Sequence, residues 1–177
     1  VGTMGRNLPP RVRNLPRADK NEKFDKKKWT MVCAEQGIGD QVLFLLPFQD
    51  FIDEHGKVIY ICEPRIHPIL ERSFKNLVIA CPGVTYDWED STIPKNGYIP
   101  LGSIPGKYLK SLKDFENYRK PFLKANGILY KKYRTHLQKL AKGRPIIGIS
   151  WKGGYWAIQR KTKALQLENW KPIFEKK

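Results

Sequence analysis

Asp40 closes the run Glu35-Gln36-Gly37-Ile38-Gly39-Asp40, at the point where a strand-like segment gives way to a helical one. Val32, Cys33 and Ala34 end a short apolar run, and an apolar-periodic run of helical length begins at Asp40. The spacing therefore predicts strand, tight turn and helix. Gly37 and Gly39 let the backbone bend and approach a ligand, while the unpaired N–H groups of a new helix face the same crevice. A carboxylate held there can accept a proton, or it can serve only as the N-cap of the helix. A second group follows Ile146 to Ser150, where Trp151, Lys152, Gly153 and Gly154 again give a strand and a glycine-bearing loop ahead of a helical run from about Leu167. Such a loop presents backbone N–H groups and a lysine to phosphate oxygens. A third, Asp87-Trp88-Glu89-Asp90, has the acids of a metal-binding D-x-D motif but lies in a turn-rich stretch without a flanking strand pattern, so it reads as a solvated acidic turn. Cys33, Cys62 and Cys81 show no C-x-x-C spacing and His55, His67 and His136 are scattered, which argues against zinc and for reduced, buried thiols.

These groups need a scaffold, and the chain supplies one in order. Residues 1–28 hold nine Lys or Arg against three acids, with three prolines and no apolar periodicity, and read as a basic, flexible linker able to dock on an anionic surface. From Trp29 a strand leads to a helix over about 40–54 with Leu43, Phe44, Pro47, Phe48, Phe51 and Ile52 inward; Pro47 is expected to bend it or delay its start. Lys57 to Cys62 reads as a strand covered on both faces, Ile66 to Phe74 as a short helix, and Leu77 to Ala80 and 97–101 as further strands. This alternation predicts an α/β fold, a Rossmann-like parallel sheet flanked by helices, with ligands at the carboxyl ends of the strands. Gly127 to Leu140 reads as an amphipathic helix with Leu129, Tyr133, Leu137 and Leu140 inward. The aromatics among the lysines of 107–142 are expected in a core rather than on a nucleic-acid face. Ile146 to Ser150 is expected to be a buried strand that starts a second unit.

The chain has 177 residues, enough for one full domain and part of a second, and a formal net charge of +16. That charge suits an anionic partner: a phosphorylated sugar, an acidic membrane surface or nucleic acid, of which nucleic acid lacks any supporting motif. The apolar runs are far shorter than the roughly 20 residues of a membrane span and no signal sequence opens the chain, so a cytoplasmic protein is expected, with a peripheral place at the inner membrane as an option. A dinucleotide-binding oxidoreductase is disfavoured, because Val42 stands where G-x-G-x-x-G has its last glycine.

Five blocks in order, A-E-Q-G-I-G-D-Q-V-L-F-L-L-P, K-V-I-Y-I-C-E-P, Y-I-P-L-G-S-I-P, G-I-S-W-K-G-G and L-Q-L-E-N-W, resemble the glycosyltransferase module found behind bacterial tetratricopeptide repeats. That module is similar to the family 9 glycosyltransferases, the ADP-heptose lipopolysaccharide heptosyltransferases. The resemblance, from about Trp29 to Lys177, implies a GT-B fold of two Rossmann-like domains: an acceptor-side domain over 29–144 and the truncated start of a donor domain over 145–177. It implies transfer of a sugar from a nucleotide-diphosphate donor to a glycan, lipopolysaccharide-core or protein acceptor, without a metal or other cofactor. Asp40 falls on the proposed general base, Gly37 and Gly39 on the first turn, and Trp151, Lys152, Gly153 and Gly154 on the loop near the donor phosphates. Lys163, seven positions before Trp170, falls on a basic residue that contacts phosphate. No repeat pattern precedes residue 29 and most of the donor domain is absent, so a fragment inactive alone is expected; Lys163-Ala164 in place of a common R-S bears on donor affinity. The alternative is a non-catalytic module that binds an anionic glycan or nucleic acid.

Overall fold

The computed structural model describes residues 12, 14–18, 24–34, 37–81, 93–150 and 165–175. It divides into two compact units, Val1–Leu129 and Tyr130–Lys177, whereas the sequence placed a boundary at residue 144.

In the first unit four strands form an all-parallel sheet: β1 (Trp29–Cys33), β2 (Val58–Ile61), β3 (Leu77–Ala80) and β4 (Lys95–Pro100). Their spatial order is β3-β2-β1-β4. The register sets Cys33 beside Ile61 on one side and Pro100 on the other, so the three strands end level with one another. Because β1 and β2 are buried along nearly their whole length, their β-branched and apolar residues pack on both sides, as parallel strands require. Side chains alternate between two cores. Val32, Val58, Tyr60 and Ile99 face the helices α1 (Ile38–Phe44), α2 (Phe48–His55) and α3 (His67–Ser73), while Met31, Cys33, Ile59 and Ile61 face the other way and pack with Val12 and Leu15. This is the expected α/β fold, a Rossmann-like parallel sheet flanked by helices.

Phe48 sits at the centre of the helical side. Its ring is 5.8 Å from Phe51, 5.3 Å from Tyr60 and 5.4 Å from Phe74, joining α2 to β2 and to the end of α3. The helix expected over 40–54 is instead two helices broken at Leu45 to Pro47. Proline has no N–H to donate and its ring obstructs the preceding turn, so the second helix starts afresh after it. The break changes the inward face, and Leu43 is 63% exposed.

Part of the segment read as a linker is built into the sheet edge. The Tyr98 N–H donates to the carbonyl of Pro16 at 3.0 Å, and Arg17 forms a parallel bridge with Tyr98. Pro16 comes so close to β4 that a Cβ on Gly97 would lie 2.3 Å from its carbonyl oxygen; Gly97 also has φ +131, so glycine is required twice over. The Asn96 amide then joins the preceding turn to the sheet, bonding the carbonyl of Asp25 at 3.0 Å and the Thr30 hydroxyl at 3.1 Å.

After β4 come a 3-10 turn (Leu101–Ser103), the short α4 (Pro105–Tyr108) and a 3-10 segment (Leu112–Tyr118). The long helix α5 (Gly127–Ala141) starts where the Asn126 side chain accepts the N–H groups of Ile128 and Leu129, both at 3.0 Å, and ends where Lys142 and Gly143 take positive φ. None of its residues is buried, so Leu129, Tyr133, Leu137 and Leu140 are exposed, not inward. Residues 146–150 form no strand either, and Ile147 is 83% exposed. A 3-10 turn (Leu167–Trp170) and α6 (Lys171–Phe174) stack Trp170 on Phe174 at 6.3 Å. Among the described residues no helix is long and apolar enough to cross a membrane.

Candidate functional site at the carboxyl edge of the sheet

From β1 the chain steps to β2 and β3 on one side, then returns to β4 on the other. The segments that follow β1 and β4 therefore leave from the carboxyl ends of neighbouring strands, the end of an open parallel sheet at which ligands bind. After β1 the chain enters α1; after β4 it enters the 3-10 turn Leu101–Ser103, and that turn packs against α1. The Gly37 to Asp40 segment lies at this edge.

Gly37 is the N-cap of α1, with extended backbone, and its carbonyl accepts the Gln41 N–H at 3.0 Å. Ile38, Gly39, Asp40 and Gln41 form the first turn. Asp40 is thus the third helical residue and not the cap, because the chain turns helical three residues sooner than its polar-to-apolar change suggests. Its carboxylate folds back over the helix start: Oδ2 lies 3.7 Å from the place a Cβ on Gly37 would occupy. The side chain is exposed. Gly37 and Gly39 are exposed too, and nothing lies within 4 Å of a Cβ built on Gly39, so the backbone there is open to an approaching group.

Two neighbours escaped the sequence reading. Gln41 is buried, and its Oε1 accepts the Tyr60 O–H at 3.0 Å and the Glu63 N–H at 3.4 Å, fixing the first turn of α1 to the end of β2. Its one sequence signal is an uncharged polar residue directly ahead of the apolar run Val42 to Leu46. Burial, and then the nearby Cys62 and Cys33, push the Tyr60 phenol far above its usual range, so it stays a neutral donor. Cys62 beneath it is also pushed up, to about 12, by burial and by Cys81 and Glu63. The Glu63 carboxylate, held by Arg65 Nε at 2.8 Å, is kept ionised below the usual range chiefly by that hydrogen bond.

Ser103, at the end of the 3-10 turn, also lines a cavity of about 330 Å³ whose walls include Phe24, Phe51, His55, Ile104 and Lys107. His55 Nδ1 donates to the Phe51 carbonyl at 2.8 Å, its ring stacks on Phe51 at 3.9 Å and meets the edge of Phe24 at 4.2 Å, and its Nε2 is buried without a partner among the described residues. Burial holds this imidazole below its ordinary pKa, so it is neutral near pH 7. Glu54 beside it accepts from Lys107 and Tyr108, each at 2.5 Å; partial burial opposes its ionisation, but those two bonds outweigh burial and keep it charged.

The structure brings Gly37, Gly39 and Asp40 together. Trp151, Lys152, Gly153, Gly154 and Lys163 lie outside the described residues, as do Glu35, Gln36 and the acidic run 87–90.

The chain is similar to Protein FlbA of Caulobacter vibrioides. The two are 25% identical over an alignment of 158 residues that covers 82% of this chain, and the chain spans about a quarter, 26%, of the length of that protein. No protein-family model and no solved structure matches the sequence.

Proposed function

We propose that this chain belongs to a GT-B glycosyltransferase related to the heptosyltransferases, with Asp40 as the acceptor-side base. One observation carries the reading: Gly37 to Asp40 open a helix at the carboxyl edge of β1, against the turn that follows β4, at the point where the strand order reverses. Five sequence blocks in family order support it. In the reaction the acceptor hydroxyl oxygen bonds to the anomeric carbon of the donor, and its proton passes to the Asp40 carboxylate. The bond from that carbon to the diphosphate breaks, and the nucleoside diphosphate leaves with the electron pair. Lys152, Lys163 and the amides of Gly153 and Gly154 would stabilise its growing charge, with Trp151 at the same loop. The acceptor would be a glycan, a lipopolysaccharide core or a protein, and no metal is needed where cations and amides carry the leaving group.

The test is a panel of nucleotide-diphosphate sugars offered to the full-length protein, reading released nucleoside diphosphate and labelled acceptor. Release with one donor, abolished in Lys152→Ala with Lys163→Ala, is expected. Donor affinity unchanged in that double variant would remove both lysines from the site, and tight donor binding without any turnover would favour the binding module instead.

A further inference from the structure

The long helix α5 has two unlike faces, and none of its residues is buried. Tyr133, Leu137 and Leu140 recur at helical spacing along one stripe and are 58%, 42% and 59% exposed. Lys131, Lys132 and Lys139 fall on the opposite arc at about 100° per residue. At the border the Arg134 guanidinium donates to the Tyr130 hydroxyl at 2.5 Å and lies 5.8 Å from its ring centre, holding a cation beside the apolar stripe. Between Glu116 and Glu168 the sequence contains no Asp or Glu at all, so no acid offsets these charges along the chain.

We infer that α5 docks in the surface of an anionic lipid bilayer, with its leucines and tyrosines at the acyl boundary and its lysines among the headgroups. A strongly basic face opposite an apolar one is what holds a helix in the plane of such an interface. Anionic headgroups attract each Lys or Arg near the surface, and the apolar stripe gains by leaving water. A nucleic acid would answer the charge but leave Tyr133, Leu137 and Leu140 in water. This inference is independent of the transferase reading, since it uses neither Asp40 nor the 151–163 segment.

The test is co-sedimentation of the full chain with vesicles of phosphatidylcholine alone or mixed with phosphatidylglycerol. Binding to the mixed vesicles alone is expected, weakening as salt rises. Replacing Lys131, Lys132 and Lys139 by Gln should weaken it roughly a hundredfold. Leu137→Gln with Leu140→Gln, which leaves the charge unchanged, should weaken it about tenfold. All five side chains are exposed, so both variants should keep the parental melting temperature and helix content. Equal binding to neutral vesicles, no binding to anionic ones, or parental binding by the leucine variant would each overturn the inference; the last would mark a purely electrostatic surface of the kind nucleic acid uses.

Discussion

The Tyr60 O–H donates to Oε1 of Gln41 across 3.0 Å, so the third residue of β2 and the first turn of α1 are joined through a buried hydrogen bond. The adjacent residue in that turn is Asp40. Its backbone position is thus set from the sheet and not from the helix alone.

Tyr60→Phe removes this donor from Gln41 Oε1, which also accepts the Glu63 N–H at 3.4 Å. The expected cost is about 1 kcal/mol, a fall in melting temperature of roughly 2–4 °C. Gln41→Ala strands a buried phenol as well and should cost more, about 1–3 kcal/mol. Chemical denaturation of both variants checks the order; Gln41→Ala being the milder change would mean the bond does not hold the turn.

Phe48 and Leu43 separate buried from exposed positions in what the sequence presents as one helical face. Phe48→Ala opens a cavity among Phe51, Tyr60 and Phe74 and should cost about 3–5 kcal/mol. Leu43→Ala, at an exposed site, should change stability by no more than about 0.5 kcal/mol. A large loss at Leu43 in urea unfolding would show that the helix continues through Pro47.

What was legible in the sequence follows from which patterns depend on neighbours in the chain and which on neighbours in space. The segments K-V-I-Y-I-C and L-V-I-A are bounded by turn residues, and β2 and β3 fall inside them. The Ile146 to Ser150 run has the same texture, yet none of the described strands pairs with it, and an unpaired strand has no ladder to stabilise it. Of the two roles the sequence leaves open for Asp40, the structure gives the cap to Gly37, because glycine is an acceptable cap with no side chain to betray it. Gln41 and the 14–18 segment were missed for one reason: their partners, Tyr60 and Gly97, are remote in sequence.

Gly97→Ala tests how the 14–18 segment is attached. Positive φ and the Pro16 carbonyl both exclude a side chain there, so the variant should lose about 1–3 kcal/mol. Hydrogen exchange should show the Tyr98 amide, which bonds Pro16, losing protection while the β1–β2 ladder keeps it. Unchanged Tyr98 protection would mean that the segment does not lie against β4.

His55 predicts the direction of a pH effect. Burial lowers its pKa first of all, the Lys107 charge adds to this, and the Phe51 carbonyl and Glu54 act the other way. The unfolded chain, titrating near 6.5, therefore binds the proton more readily than the folded one. The contribution of His55 is fully present above pH 6.5 and lost as pH falls toward the depressed folded value, at up to about 1.4 kcal/mol per pH unit. Melting curves from pH 7.5 downward, run beside a His55→Gln variant, should show the parent losing the larger share of its stability. Parallel curves would contradict the assignment.

The most direct test of the proposed transferase is Asp40→Asn in the full-length protein, assayed with its donor for sugar transfer. Because Gly37 caps the helix and Asp40 is exposed, the substitution loses only the helix-dipole interaction of a first-turn carboxylate, about 0.3–1 kcal/mol, so fold and donor affinity should stay near the parent. An amide cannot take the acceptor proton. Turnover should fall roughly 100- to 10,000-fold with donor affinity unchanged. Transfer at the parental rate by the Asn variant would contradict Asp40 as the base and with it the proposed use of this edge of the sheet.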